Sequence, residues 1–115
     1  MAVFVSNIVI EQGFTFTAAF ELENTETAGP LDMNGFSLSS KLKKTHSSSS
    51  STTFTSSITN ASNGLISISL SDDQTKTLKP GRYVYDIRVV NLNGNIEKVV
   101  EGSALVRPGV TLNGN

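Results

Sequence analysis

From Phe14 to Glu23 the sequence reads FTFTAAFELE, with apolar residues on every second position. Phe14, Phe16, Ala18, Phe20 and Leu22 share one side; Thr15, Thr17, Ala19, Glu21 and Glu23 share the other. In extended backbone successive side chains point to opposite faces, so this pattern specifies a strand with one buried and one solvated face, as antiparallel sheets have. The theme recurs. Phe36, Leu38 and Leu42 alternate with Ser37, Ser39, Lys41 and Lys43, and Phe54 and Ile58 with Thr53, Thr55, Ser57 and Thr59. Ile66, Ile68 and Leu70 alternate with Ser67, Ser69 and Ser71, and Tyr83, Tyr85, Ile87 and Val89 with Arg82, Asp86 and Arg88. No window of a dozen residues keeps a helical stripe.

Turn residues separate these runs. Gly29-Pro30 and Asn34-Gly35 break the long connection after the second strand, Asn63-Gly64 reads as a tight hairpin, and Asn91 to Asn95 reads as another. Gly102, in the middle of the last apolar run (Ile96 to Val106), suggests a bulge or bend. About seven short strands at this spacing predict an all-β antiparallel sandwich. The tract Thr45 to Thr52 resembles a serine linker, but a boundary there would leave two pieces too small to bury a core. It reads instead as an exposed hairpin tip within one domain spanning 1–115, with 108–115 as a C-terminal tail.

The chain has 115 residues and a net charge of −1 from nine basic and ten acidic side chains. That balance provides no basic excess for releasing counterions from a nucleic acid, so none is expected as a partner. With no cysteine, disulfides, thiolate catalysis and cysteine-based zinc sites are excluded. MAVFVSNIVIEQG lacks the basic and apolar regions of a signal peptide, and no apolar run approaches a membrane span. A soluble chain starting at its natural Met, without membrane attachment, is expected.

LKPGRYVYDI, residues 78–87, poses the main functional question: are two tyrosines beside an Asp and an Arg a site of chemistry, or a fastening? Ser71 and Gln74 have capping-box spacing, so residues 71–77 read as one helical turn crossing between sheets. Pro80 and Gly81 then turn the chain, and Tyr83 opens the next strand where a tyrosine corner would place its hydroxyl on upstream backbone. Tyr85 faces the same core. Leu78, Gly81, Tyr83 and Tyr85 are therefore assigned to fastening the fold, and Asp86 with Arg88 to a surface pair.

Other polar residues form no recognisable catalytic set. His46 is the only histidine and lies beside the serine tract, without the third group that a Ser–His nucleophile requires. Asp72 and Asp73 with Asn60 or Asn63 offer oxygen ligands for calcium, but they lack a glycine-turned loop and read as helix capping. Glu21, Glu23 and Glu26 would pair with Lys41, Lys43 and Lys44 if their strands were neighbours. Otherwise they are a solvated face. Nucleotide-binding glycine motifs and a G-x-S-x-G elbow are absent, so neither a cofactor nor an enzyme is expected. Val3, Val5, Ile8 and Ile10 lie in a segment apolar on both sides, which is either an ordinary core strand or a surface for a partner.

The segment from Ser71 to Thr111 resembles the immunoglobulin-like domains of tailed-phage structural proteins. These include the N-terminal domain of the baseplate upper protein family and small virion proteins of T-even-like marine phages. The likeness rests on Thr75 and Leu78, Gly81-x-Tyr83, Tyr85-Asp86-Ile87, Gly94, Gly102, Val106, Val110 and Thr111, with a looser match at Asp32 to Ser37. It implies an immunoglobulin-like sandwich with a non-enzymatic assembly role in a virion, or in the host cytoplasm before assembly. It also implies contacts to other virion proteins or to itself. The other function considered is a carbohydrate- or cell-surface-binding sandwich, which is weakened by the lack of Trp and the inward placement of most aromatics.

Overall fold

Residues 4–24 and 29–109 are described by a computed structural model. Their elements are β1 (Phe4–Val5), β2 (Ile8–Glu11), β3 (Phe16–Glu21), β4 (Glu23–Asn24), β5 (Gly29–Pro30), β6 (Ser37–Lys43), β7 (Thr52–Thr53), β8 (Thr55–Asn60), a 3-10 turn (Ala61–Asn63), β9 (Leu65–Leu70), α1 (Asp72–Lys76), β10 (Gly81–Val90) and β11 (Ile96–Arg107). Val3, Glu26, Val110 and Thr111 lie outside the described residues. No helix among those described is long and apolar enough to cross a membrane.

Two sheets face each other. One runs β11-β10-β6-β7, with β1 and β2 both attached to β11; the other runs β3-β9-β8, and β4 with β5 forms a small ribbon. The alternation predicted from sequence builds the space between them. Ile66, Ile68 and Leu70 of β9 face inward, as do Tyr85, Ile87 and Val89 of β10. Phe54, at the switch from β7 to β8, joins the sheets through ring contacts to Phe16 (6.0 Å) and Tyr85 (6.1 Å). This is an all-β sandwich.

Two details differ from expectation. The sandwich is not purely antiparallel, because β1 and β2 pair with β11 in parallel. Parallel neighbours need a long connection, and here nearly the whole chain lies between the first strand and the last. The bulge in β11 is not at Gly102 but at Val99. Ile87 is opposite Val100 while Arg88 is opposite Lys98, which leaves Val99 as the extra residue. Val99 and Val100 are consequently both buried despite being adjacent. Gly102 is needed for close approach instead, since a Cβ there would run into the Ser6 carbonyl.

Further departures are local. Phe14 is exposed because β3 starts only at Phe16. The Asn63-Gly64 turn contains the 3-10 turn, capped by Asn60 Oδ1 accepting from the Asn63 N–H (3.2 Å). The serine tract leads from β6 into β7, where Leu42 pairs with Thr52 and Lys41 with Thr53. Within it, the Ser48 hydroxyl accepts from the Thr45 N–H at 3.0 Å.

α1 carries the chain from β9 to β10 and has the capping box. The Ser71 hydroxyl accepts from the Gln74 N–H (3.2 Å), and the Ser71 N–H donates to Gln74 Oε1 (2.9 Å). Its inward residue is Thr75, fully buried, whose hydroxyl donates to the Phe14 carbonyl (2.8 Å) and accepts from the Gly13 N–H (3.1 Å). One side chain thus ties the interstrand helix to the β2–β3 turn. Replacing Thr75 by Val keeps the shape but leaves both backbone groups unpartnered, so a stability loss of about 1–3 kcal/mol is expected in urea unfolding. Thr75→Ser, which keeps the hydroxyl, is expected to lose clearly less; equal losses would show that packing, not hydrogen bonding, is what Thr75 contributes.

Candidate functional site

The residues assigned to fastening sit around the entry to β10. Leu78 is buried, and its carbonyl accepts from Gln12 Nε2 at 3.0 Å. Gly81 has φ of 143°, a backbone conformation that favours glycine, and it opens β10. The Tyr83 hydroxyl donates to the Lys79 carbonyl four residues upstream at 2.8 Å, while Lys44 Nζ lies 4.7 Å from the ring centroid. Tyr83 is only half-buried; Tyr85 is the one enclosed in the core.

Tyr85 pairs across the sheet with Gly102. The missing side chain at Gly102 lets the Ser6 carbonyl turn inward between β1 and β2, where the Tyr85 hydroxyl donates to it at 2.6 Å. Burial pushes the Tyr85 phenol above its ordinary value near 10, and the bond to Ser6 opposes this in part. Both tyrosine hydroxyls are committed as donors to backbone carbonyls.

The N-terminal segment is two short strands broken at Ser6-Asn7, not one apolar strand. Ile8 and Ile10 are 8% and 0% exposed, so neither is available to a partner; both belong to the core, where burial of such a side chain contributes about 1.5–3 kcal/mol. The accessible residues are Phe4, Val5 and Val9, at 53%, 69% and 50% exposure. Val9 pairs directly with Leu105, itself 37% exposed, so the two form an apolar strip on the outer face across β2 and β11, whereas Phe4 turns to the other face, with its ring 6.4 Å from that of Phe20.

Beside this strip, the outer face of β6, β10 and β11 forms an open groove of about 570 Å³. Lys41, Lys43 and Ser39 line it from β6; Val84, Asp86 and Arg88 from β10; Lys98, Glu101 and Ser103 from β11. Val5 stands at its margin, and His46 reaches it from the serine-rich tip. Four cations thus face two carboxylates in a chain of net charge −1.

Strand register explains part of this mosaic. Arg88 lies opposite Lys98 and Asp86 opposite Glu101, like-charge pairings that destabilise a sheet when left alone. The Val99 bulge offers relief. Residues 98 and 101 would point to opposite faces of a regular strand, but the extra residue puts them on one face, and Lys98 Nζ reaches Glu101 Oε1 at 3.2 Å. Arg88 Nε donates to the Ser39 hydroxyl at 3.0 Å, and the expected Asp86–Arg88 pair is not among the ion pairs of the described residues.

Sequence reasoning paired Asp86 with Arg88 and set His46 apart, and the fold brings all three to one groove. No hydrogen bond joins His46 to Asp86 or to a serine hydroxyl among the described residues, so the groove holds no assembled nucleophile and base. Asp72 and Asp73 occupy the first turn of α1, where acidic side chains suit the helix N-terminus, and Asp73 pairs with Lys76 at 3.1 Å. Among the described residues no cluster of three or more potential metal-ligating side chains is present. Glu21 lies on β3 of the smaller sheet, Glu23 on the β4–β5 ribbon and the lysines of β6 on the larger sheet, and no ion pair joins them among the described residues.

No protein-family model matches the sequence, and no curated protein matches it. Among solved structures the chain is similar to an internalin-like protein of Listeria monocytogenes, lmo2027. The TM-score is 0.43 with 15% identity, covering 93% of this chain and 28% of that one. It is also similar to a family 123 glycoside hydrolase from Clostridium perfringens, at TM-score 0.43 and 17% identity, covering 96% of this chain and 24% of that one. The chain spans about a quarter of the length of each. Neither likeness carries an argument about activity.

Because the folded-state pKa of Tyr85 is raised, its contribution to stability is fully present below the unfolded value near 10 and declines as pH rises through the folded one. Tyr85→Phe removes the hydroxyl and leaves the Ser6 carbonyl without it, with an expected loss of about 1–3 kcal/mol at neutral pH. Urea unfolding at neutral and alkaline pH checks both parts. The variant should be less stable at neutral pH and lose less than wild type on going above pH 10.

Proposed function

We propose that this chain is a non-enzymatic protein–protein interaction module. The observation supporting this is the exposed apolar pair of Val9 and Leu105 on the outer face of the larger sheet at its open edge, with Val5 exposed further along the same edge. Edge strands present unpaired backbone groups, and exposed apolar side chains beside them suit a neighbour that adds a strand or covers the edge. Scattered single apolar residues would need no such explanation; here Val9 and Leu105 are register partners exposed side by side.

The resemblance of residues 71–111 to phage domains favours one form of this function, assembly within a virion through other virion proteins or further copies of the chain. The fastening geometry fits that reading because its tyrosines are used to hold backbone and not to receive substrate. Carbohydrate binding has less support: the groove is lined by charged and small side chains, and its one tyrosine, Tyr85, has its ring buried against Phe54 and offers no platform.

Replacing Val5 and Val9 together by Asp tests the module, since both side chains are solvent-exposed and the core is left intact. Association with its own kind or with virion proteins, followed by light scattering or pull-down, is expected to fall by about tenfold or more for two charges placed in an apolar contact. Unchanged association would remove the edge from the interface.

A further inference from the structure

Two segments of opposite charge share one pattern. In Glu21-Leu22-Glu23 the carboxylates are exposed on either side of a buried leucine; in Lys41-Leu42-Lys43 the ammonium groups flank another buried leucine. Residues two apart on a strand project from the same face roughly 7 Å apart, as Lys41 and Lys43 do on β6. Glu21 ends β3 on the outer face of the smaller sheet and Glu23 opens the β4–β5 ribbon, whereas the lysines belong to the larger sheet. Neither pair enters an ion pair among the described residues.

We infer that the groove over β6, β10 and β11 receives the Glu21–Glu23 end of a second copy of this chain. This rests on the interaction-module reading above and names a partner for it. Lys41 and Lys43 meet the two carboxylates, and Arg88 and Lys98 are the next cations along the groove. The approaching face presents little steric obstruction. Next to Glu21 the outer surface of the smaller sheet consists of rows Thr17–Ser69–Thr55 and Ala19–Ser67–Ser57, all short side chains. A nucleic acid fits less well, because Asp86 and Glu101 within the groove would repel a continuous run of phosphates.

The contact joins two different surfaces and is therefore heterologous: each added copy presents a fresh groove, and growth continues until a ring closes or a filament forms. Its attraction is electrostatic and solvent-exposed, so it is reversible and sensitive to salt.

Charge exchange tests this directly. Sedimentation equilibrium over a wide concentration range would follow wild type, K41E/K43E, E21K/E23K, an equimolar mixture of the two variants, and the quadruple variant. Circular dichroism would confirm that each is folded. Wild type is expected to associate at about 10 mM salt and to weaken by about tenfold or more at about 1 M, where the screening length falls from about 30 Å to about 3 Å. Each double variant alone should be monomeric, and both the mixture and the quadruple variant should associate again. A wild type that stays monomeric at low salt overturns the inference, as do double variants that associate like wild type or charge exchanges that fail to restore association. If each double variant alone associates like wild type but association is lost on replacing Val5 and Val9 by Asp, the edge interface stands and the groove contact does not.

Discussion

The hydrogen bond from Tyr85 to the Ser6 carbonyl holds the N-terminal edge to the rest of the sandwich. It spans 79 residues of sequence, and β11 passes between its partners, which is possible only because position 102 carries no side chain. The Ser6 N–H donates to the Glu101 carbonyl at 2.9 Å, and Asn7 Oδ1 accepts from the Ser103 N–H at 3.1 Å. The break between β1 and β2 is thus a fixed joint whose backbone groups are used on both sides of Gly102. Without it, Ile8 and Ile10 would have no fixed register against β11, and a one-residue slip would turn them out of the core.

That joint also determines which apolar residues remain outside. With Ile8 and Ile10 directed inward, Val9 must point outward beside Leu105, and Val5 is left at the groove margin. The exposed strip is therefore a consequence of the register that fills the core. On the opposite strand of the joint, the Val99 bulge serves two purposes: it buries two consecutive valines and it turns Lys98 to the face of Glu101. The apolar edge and the charged groove arise from irregularities in the same two strands.

Period-two alternation made the sandwich legible because β8, β9 and β10 each bury one face only. The tyrosine corner was legible from the Pro-Gly turn ahead of Tyr83, and α1 from its capping residues. Less of the remainder was visible. Thr75 looked like one more polar residue in a short helix, since its partners, Phe14 and Gly13, are brought close only by folding. Leu31 and Met33 are buried in a connection that shows no periodicity, because their positions are set by backbone bonds from Leu31 to Leu22 (3.0 Å) and from Met33 to Ala61 (2.9 Å). The groove left no linear signature either, as its charges come from three strands and the serine-rich tip. The parity of the first strand was ambiguous because FVSNIVI is apolar on both sides until Gly102 fixes the break.

The two outer faces of the sandwich differ in a way that bears on assembly. The smaller sheet shows rows of serine, threonine and alanine with carboxylates at one end, whereas the larger shows interleaved charges with cations in excess. A protein that only needed solubility would distribute both signs over both faces, which lowers the chance of face-to-face association. Segregating the signs onto opposite faces while keeping the total near neutral does the reverse, because it favours copies aligned in one direction and disfavours like faces meeting. Val9 and Leu105 stand on the same outer face as the groove, and Val5 is part of its lining. An apolar contact there and a charged contact in the groove therefore share a border. A small sandwich could in this way combine on one face an apolar contact that persists in salt and a polar one that does not.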